Sequence, residues 1–360
     1  IMYNYPPGEA HVAHAAILDT FESVAAMLAM LQQNGYEVEP LSADEIRPKL
    51  VEEGKINSPR WHPMENANGL IINPEPTPDI PQPEKVKEKW GRFPGKIMSS
   101  DDGVVVPGFV SGNVFIGLQP TRGFFESQAE NYHSKDIPPH HQYIGFYKWL
   151  ERQFQADACV HIGTHGSLEL IPGKEMAMSG KCWPDYLIGR MPHLYFYYTG
   201  NPSEAMVAKR RSHGVLLSHL PVPFKRSDLY GSLQDLEDLM GQYEEAAQMG
   251  AGRQADLLED IKAQAVELGW EGLDLEEIHR RLYEYKTSLI PSRLHCIGRS
   301  YSPEETAAFL VQLFKLADED RPSLWALLAA RHGWDWERLD AAPELHSREM
   351  DELELEASGG

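Results

Sequence analysis

The chain of 360 residues has little cysteine, a deficit of cations and no long apolar run. Cys159, Cys182 and Cys296 are widely spaced and form no CxxC, which excludes a disulfide framework and a thiolate zinc site. They are expected as small buried hydrophobes. Thirty-three Lys and Arg against fifty-four Asp and Glu give a formal net charge of -21. That balance opposes binding to nucleic acid or to an anionic membrane, so an anionic ligand requires a locally basic pocket. No apolar stretch reaches the roughly 18 residues of an integral membrane segment. Ile1 opens directly on Tyr3-Asn4-Tyr5-Pro6-Pro7 with no signal-peptide pattern, so the reading is cytoplasmic, with a chain start that looks internal. A Walker-type phosphate loop is missing as well. Six residues separate Gly166 from Gly173-Lys174 where four are required, and Glu175 stands where a hydroxyl should meet magnesium.

What is present is enough for two or three packed units, with 42% hydrophobic and 24% charged residues. Residues 16–33 repeat apolar side chains at helical spacing and stop before Asn34-Gly35, an amphipathic helix with a glycine exit. Residues 36–40 read as a short extended piece, giving a unit in which a helix feeds a strand. Residues 74–83 hold five prolines and are expected as an extended surface loop. Residues 103–108 and 113–118 are rich in β-branched side chains and bounded by Gly or Pro, the pattern of short buried strands. Pro138-Pro139 can start a helix whose aromatic residues then recur at helical spacing, with His140 and His141 in its first turn. Segments 229–249, 255–268, 275–289 and 303–317 are helical in pattern. Residues 346–360 carry too little apolar surface to pack alone and are expected to fray or await a partner. The expected architecture is α/β, a mixed sheet with flanking helices and a mostly helical C-terminal third. Its expected divisions are a core over 1–225, a helical region over 226–345 and an acidic tail over 346–360.

The densest chemistry lies in His161-Ile162-Gly163-Thr164-His165-Gly166-Ser167-Leu168-Glu169. Two imidazoles and a carboxylate recur every four residues, and each can bind a metal or move a proton near neutral pH. A continuous helix would place all three on one face, but Gly163 and Gly166 each carry a helix penalty near ~1 kcal/mol. Strand, glycine turn and then helix is the better reading, with Ser167 as the N-cap and the loop beyond the strand's carboxyl end as the binding region. A core role for His161 and a solvated pair for His165 and Glu169 is the plainer alternative.

These residues, followed by Pro172-Gly173-Lys174-Glu175, Pro184-Asp185, Leu187-Ile188-Gly189, Asn201-Pro202-Ser203-Glu204-Ala205 and Ala208-Lys209-Arg210-Arg211, resemble the large subunit of the tetrapyrrole metal chelatases. That group holds the cobaltochelatase large subunit, CobN, and its magnesium chelatase counterpart. Tyr3-Asn4-Tyr5-Pro6-Pro7-Gly8, Trp90-Gly91, Gly112-Asn113-Val114-Phe115-Ile116 with Gln119-Pro120, and Leu289-Ile290-Pro291 add to the resemblance in family order. The chain departs from the pattern at His11 and His14, where small residues are usual, and at Ser292-Arg293, where glycine is usual. Family members are much longer, so the chain looks like an internal portion or a reduced version.

The resemblance implies insertion of a divalent metal, Co2+ or Mg2+, into a tetrapyrrole, with ATP hydrolysed by separate AAA+ partner subunits. It implies Glu169 as proton acceptor or transient metal ligand, with His161 and His165 orienting or handing over the metal. Lys174, Lys209, Arg210 and Arg211 would pair with the carboxylates of the tetrapyrrole, and His141 and Gln119 join them as expected substrate-binding residues. Similarity around Cys182-Trp183-Pro184-Asp185 and His219-Leu220-Pro221 leans toward cobalt. Two rivals stand beside this reading. One is a mononuclear metalloenzyme holding a permanent metal on His161, His165 and Glu169; the other is a tetrapyrrole-binding scaffold without turnover of its own.

Overall fold

The computed structural model describes residues 1–4, 9–53, 55, 57–58, 69–75, 79–123, 134–219, 221–249, 253–341 and 348–358. Residues 5–8 of the opening motif, 76–78 of the proline-rich loop, Leu220, and 346–347 and 359–360 of the tail lie outside them. The chain forms two compact units, Ile1–Pro221 with Leu294–Ser300, and Val222–Arg293 with Tyr301–Gly360. The architecture is α/β, with parallel and antiparallel pairing divided among separate small sheets.

In the first unit, α1 (Thr20–Gln33) starts later than its apolar pattern because Asp19 caps it, its carboxylate accepting the Glu22 amide at 3.0 Å. Helix α2 (Ala43–Val51) opens on a capping box of Ser42 and Glu45. Phe21, Val24 and Leu28 share a core with Ile46 and Leu50. The expected strand at 36–40 does not form. Those residues make scattered bonds instead, such as Asn113 N–H to the Glu37 carbonyl at 2.8 Å, because no neighbouring strand offers a continuous ladder.

Strands β1 (Ile71–Asn73), β2 (Ser99–Ser100) and β3 (Gly103–Val106) form an antiparallel sheet in the order β1-β3-β2, with α3 (Pro83–Trp90) lying between β1 and β2 in the chain. Strands β4 (Gly108–Ser111) and β5 (Val114–Gly117) form a hairpin. Helix α4 (His141–Arg152) carries the aromatic pattern and buries Tyr143, Phe146, Tyr147 and Trp149. Then come β6 (Cys159–Ile162), α5 (Trp183–Ile188), β7 (His193–Tyr198), α6 (Pro202–Arg211) and β8 (Gly214–His219), whose strands pair in parallel in the order β6-β7-β8. Residues 1–2 bridge the hairpin to this sheet. Met2 N–H bonds the Gly117 carbonyl at 2.9 Å, Gln119 N–H bonds the Met2 carbonyl at 2.8 Å, and Ile162 N–H bonds the Ile1 carbonyl at 2.9 Å. The carboxyl ends of β5 and β6 are thereby brought to the same side.

The second unit pairs β9 (Phe224–Arg226) with β10 (Leu289–Pro291) and is otherwise helical. Helices α7 (Ser232–Met249), α8 (Gln254–Glu267) and α9 (Leu275–Thr287) surround Leu236, Ile261, Ile278 and Leu282. Helices α10 (Pro303–Lys315), α11 (Leu324–His332) and α12 (Trp336–Asp340) follow. The acidic tail does not fray over its described part. It forms α13 (Arg348–Ser358), because Met350, Leu353 and Ala357 fall on one stripe and pack against Trp325, Leu328 and Leu339. Among the described residues no helix is long and apolar enough to cross a membrane.

Candidate functional site

Strand β6 delivers its carboxyl end into the expected loop, but no α-helix follows. Leu168–Leu170 form a single 3-10 turn, and Ser167 gives no side-chain cap. Its groups are spent elsewhere: Ser167 N–H and Oγ–H reach the Gln119 carbonyl oxygen at 2.8 and 3.1 Å, and Oγ lies 2.9 Å from the Tyr143 hydroxyl. The loop closes on Gln119 and Tyr195 so tightly that a Cβ on Gly166 would lie 2.5 Å from the Tyr195 hydroxyl and 2.9 Å from Gln119 Oε1. Glycine at 166 is therefore set by close approach.

Glu169 is buried at the end of this loop, 1% exposed. Tyr197 donates its hydroxyl to Oε1 at 2.5 Å, and the Tyr195 hydroxyl reaches Oε1 at 3.0 Å and Oε2 at 3.3 Å. Burial raises the carboxyl above the usual carboxylate range, opposed by the Tyr197 bond, its own backbone amide, the nearby His165 and Tyr195. Both phenols are pushed up, first by burial and then by Glu169, and remain donors. His165 is buried beside Tyr3, ring centroids 5.9 Å apart, with Nδ1–H donating to the Gly166 carbonyl at 2.8 Å.

His161 has a different environment. The register sets Cys159 opposite His193 and His161 opposite Tyr195, so one face of β6 and β7 is a row of polar side chains. His193 Nδ1 meets the Ser212 carbonyl at 2.8 Å, so this nitrogen carries the proton and Nε2 accepts. His161 Nδ1–H then donates to His193 Nε2 at 2.6 Å, and His161 Nε2 takes the Tyr147 hydroxyl proton at 3.2 Å. Tyr147 in turn accepts from Gln119 Nε2 at 2.5 Å. The row runs in one direction, from Tyr143 through Ser167, Gln119, Tyr147, His161 and His193 to a main-chain carbonyl. Every ring nitrogen of both histidines is used with the rings neutral.

This placement corrects three expectations. First, His161, His165 and Glu169 do not assemble into a triad; among the described residues the group with three donor atoms within 4.8 Å is Cys159, His161 and His193. Its chemistry is that of a hydrogen-bonded pair beside a protonated thiol, since burial pushes Cys159 up to about 11. His161 thus takes the role of a core histidine. Second, Arg211 is buried, and its guanidinium is consumed by the loop. Nε donates to the Glu169 carbonyl at 2.7 Å, Nη1 to those of Lys174 at 2.8 Å and Gly173 at 3.3 Å, and Nη2 to that of Ile171, with Glu175 as ion-pair partner at 3.3 Å. It braces the segment from a buried position. Third, Gln119 is buried inside the row. Lys174, Lys209 and Arg210 are exposed. His141 lies apart from the loop network, half-buried, with Nε2–H donating to the Gly91 carbonyl at 3.0 Å.

The residues that the motif did not announce are Tyr195 and Tyr197, His193, and Tyr143 and Tyr147. Alternate burial along β7 puts the first three on one face, and the i, i+4 spacing on α4 pairs the last two.

The buried imidazoles predict an acid-sensitive fold. Burial lowers His140 and His193 to about 4 and holds His161 well below the usual imidazole range. Groups held neutral in the native state but protonated when unfolded give stability that is full above about 6.5 and is lost as pH falls toward the native values. Glu169, shifted up, works in the opposite sense but is one group against three. The urea midpoint should fall between pH 6.5 and 4, and the His193 ring should stay neutral by NMR down to about pH 4. A flat midpoint over that range would overturn the assignment.

Beyond the carboxyl end of a parallel strand, within an α/β frame, the chain thus buries a carboxylate on two tyrosine hydroxyls. The chain belongs to the CobN/magnesium chelatase family, whose model matches residues 1–358. It is 35% identical over 330 residues to the H-type large subunit of magnesium chelatase from Cereibacter sphaeroides, covering 91% of this chain and 27% of that protein. It is 31% identical over 342 residues to the aerobic cobaltochelatase subunit CobN of Pseudomonas aeruginosa, covering 89% and 27%. The catalytic subunit of cobaltochelatase from Mycobacterium tuberculosis has a similar structure, with a TM-score of 0.68 and 27% identity over 96% of this chain and 31% of that one. The chain spans about a quarter of the length of the curated relatives it matches.

Proposed function

We propose that this chain is the part of a metal chelatase large subunit that removes pyrrole protons during insertion of Co2+ or Mg2+ into a tetrapyrrole. The observation that carries the reading is Glu169, a buried carboxylate shifted upward and oriented by Tyr195 and Tyr197, in a chain matched to the family over residues 1–358. Insertion replaces two N–H protons of the ring with one divalent ion. A carboxylate lifted above its usual range takes such a proton at Oε and later releases it. His165, close enough to influence Glu169, is the group to which the proton or the incoming metal substrate passes. Lys174, Lys209 and Arg210 supply cations for the ring carboxylates in an otherwise acidic chain. ATP hydrolysis is assigned to AAA+ partner subunits, in the cytoplasm.

The test is a titration of the purified chain with a free-base porphyrin and with hydrogenobyrinic acid diamide, followed by tryptophan quenching. Saturable binding of one ring is expected. Absence of binding by both, with the chain folded by circular dichroism, would overturn the reading.

A further inference from the structure

The cavity bounded by Lys89, Trp90, Pro94, Lys96, Ile97 and His141 lies between the end of α3 and the first turn of α4 and is about 340 Å³. That is near the lower end of small-molecule sites, roughly 300–1,000 Å³. Its electrostatics run against the rest of the molecule. Residues 85–96 hold five cations, Lys85, Lys87, Lys89, Arg92 and Lys96, and one carboxylate, Glu88, in a chain of net charge -21. Among the described residues no acidic side chain lines the cavity, and neither the Lys89 nor the Lys96 ammonium has a carboxylate within ion-pair distance. The α4 N-terminus adds its positive dipole end from the opposite wall.

The walls are held in place before any ligand arrives. Trp90 Nε1–H donates to the Pro138 carbonyl at 2.8 Å, and its ring meets that of His140 edge-on at 5.7 Å. His140 is itself fixed by the Thr121 carbonyl at 2.8 Å and caps α4. Gly95 turns the loop at φ +79°, and a Cβ there would lie 3.1 Å from His141 Cδ2. Trp90, Pro94 and Ile97 supply apolar lining, while the two lysines among the lining residues are exposed. Fixed apolar walls beside two exposed lysines select an apolar body that ends in a negative charge.

We propose that this cavity binds a carboxylate carried on a short apolar body. The proposal stands independently of the chelatase reading. Two sources share this chemistry, a free small acid and a carboxylate arm of a larger ligand.

The probe is 3-phenylpropionate, titrated into the 15N-labelled chain with backbone and indole N–H shifts as the readout, beside the neutral amide 3-phenylpropionamide. Saturable shifts centred on Trp90, Gly91, Gly95 and Lys96 are expected for the acid, with the amide bound at least about tenfold more weakly, about 1.4 kcal/mol. Lys89→Gln/Lys96→Gln should weaken the acid by a similar factor, and Lys89→Arg/Lys96→Arg should retain it. Equal binding of acid and amide, affinity unchanged in the Gln variant, or shifts elsewhere would overturn the proposal. A propionate-bearing porphyrin and its methyl ester separate the sources. Selective weakening of the acid porphyrin by the Gln variant identifies an arm as occupant, and a loss confined to 3-phenylpropionate identifies a free acid. Failure of every porphyrin to bind, with 3-phenylpropionate still bound, would sink the chelatase reading and leave this one standing.

Discussion

Glu169→Gln is expected to lower metal insertion by ~10²–10⁴-fold, the range for loss of a positioned proton acceptor, with tetrapyrrole binding nearly unchanged. The substitution keeps the shape of the side chain and the tyrosine contacts, since both phenols can donate to the amide oxygen or accept from its nitrogen. It removes only the capacity to take a proton. Burial makes the charge of Glu169 costly, so its removal should leave thermal stability equal or raised at neutral pH. The measurement is single-turnover insertion by a large subunit carrying this sequence, reconstituted with the partner subunits proposed above, beside a binding titration and a melting curve. Insertion within a few-fold of the parent would remove Glu169 from the chemistry. Loss of ring binding would make it part of the pocket.

The second large effect is structural. Arg211→Lys is expected to destabilise the first unit by about 2–4 kcal/mol, because a point-like ammonium cannot span the buried carbonyls that the guanidinium fork holds. Four main-chain carbonyls, of Glu169, Ile171, Gly173 and Lys174, converge on one planar guanidinium. Lysine keeps the charge beside Glu175 but has three donors at a point instead of a five-donor fork. Carbonyls left unpaired in the interior then carry their desolvation cost. Urea unfolding checks this against Lys174→Gln, an exposed substitution expected to stay within about 0.5 kcal/mol. A loss below about 1 kcal/mol for Arg211→Lys would show that the loop is held by other means.

How far the chain could be read in advance depended on the range of the interactions. Helices α7 to α10 of the second unit and strands β3 and β5 were legible because periodicity and glycine or proline borders are local. The loop of residues 161–169 was legible because reactive residue types and glycines crowd into one short segment. Its internal roles were not. Whether His161 faces a metal or another imidazole follows from the pairing of Cys159 with His193, which no local pattern states. Tyr195 and Tyr197 are reached from Glu169 across the sheet, through 26 and 28 positions of chain. Arg211 was misread for a nearer reason. It ends a run of three cations, yet Ala205, Ala208 and Arg211 recur every three residues and are the buried face of α6. Phase along the helix, more than charge, separated it from the exposed Lys209 and Arg210. The tail was misjudged in the same way, its mean polarity hiding the stripe of Met350, Leu353 and Ala357.

The row of hydrogen bonds from Tyr143 to His193 ends on the carbonyl of Ser212, a group of the main chain. No substitution at position 212 short of disturbing the backbone can delete that acceptor. The orientation of every proton upstream is therefore insulated from mutation at its anchoring end and vulnerable only in the middle. There, Tyr147→Phe would strip both the Gln119 amide and His161 Nε2 of their partner, and Gln119→Glu would set a carboxylate oxygen against the Tyr147 oxygen with no proton between them.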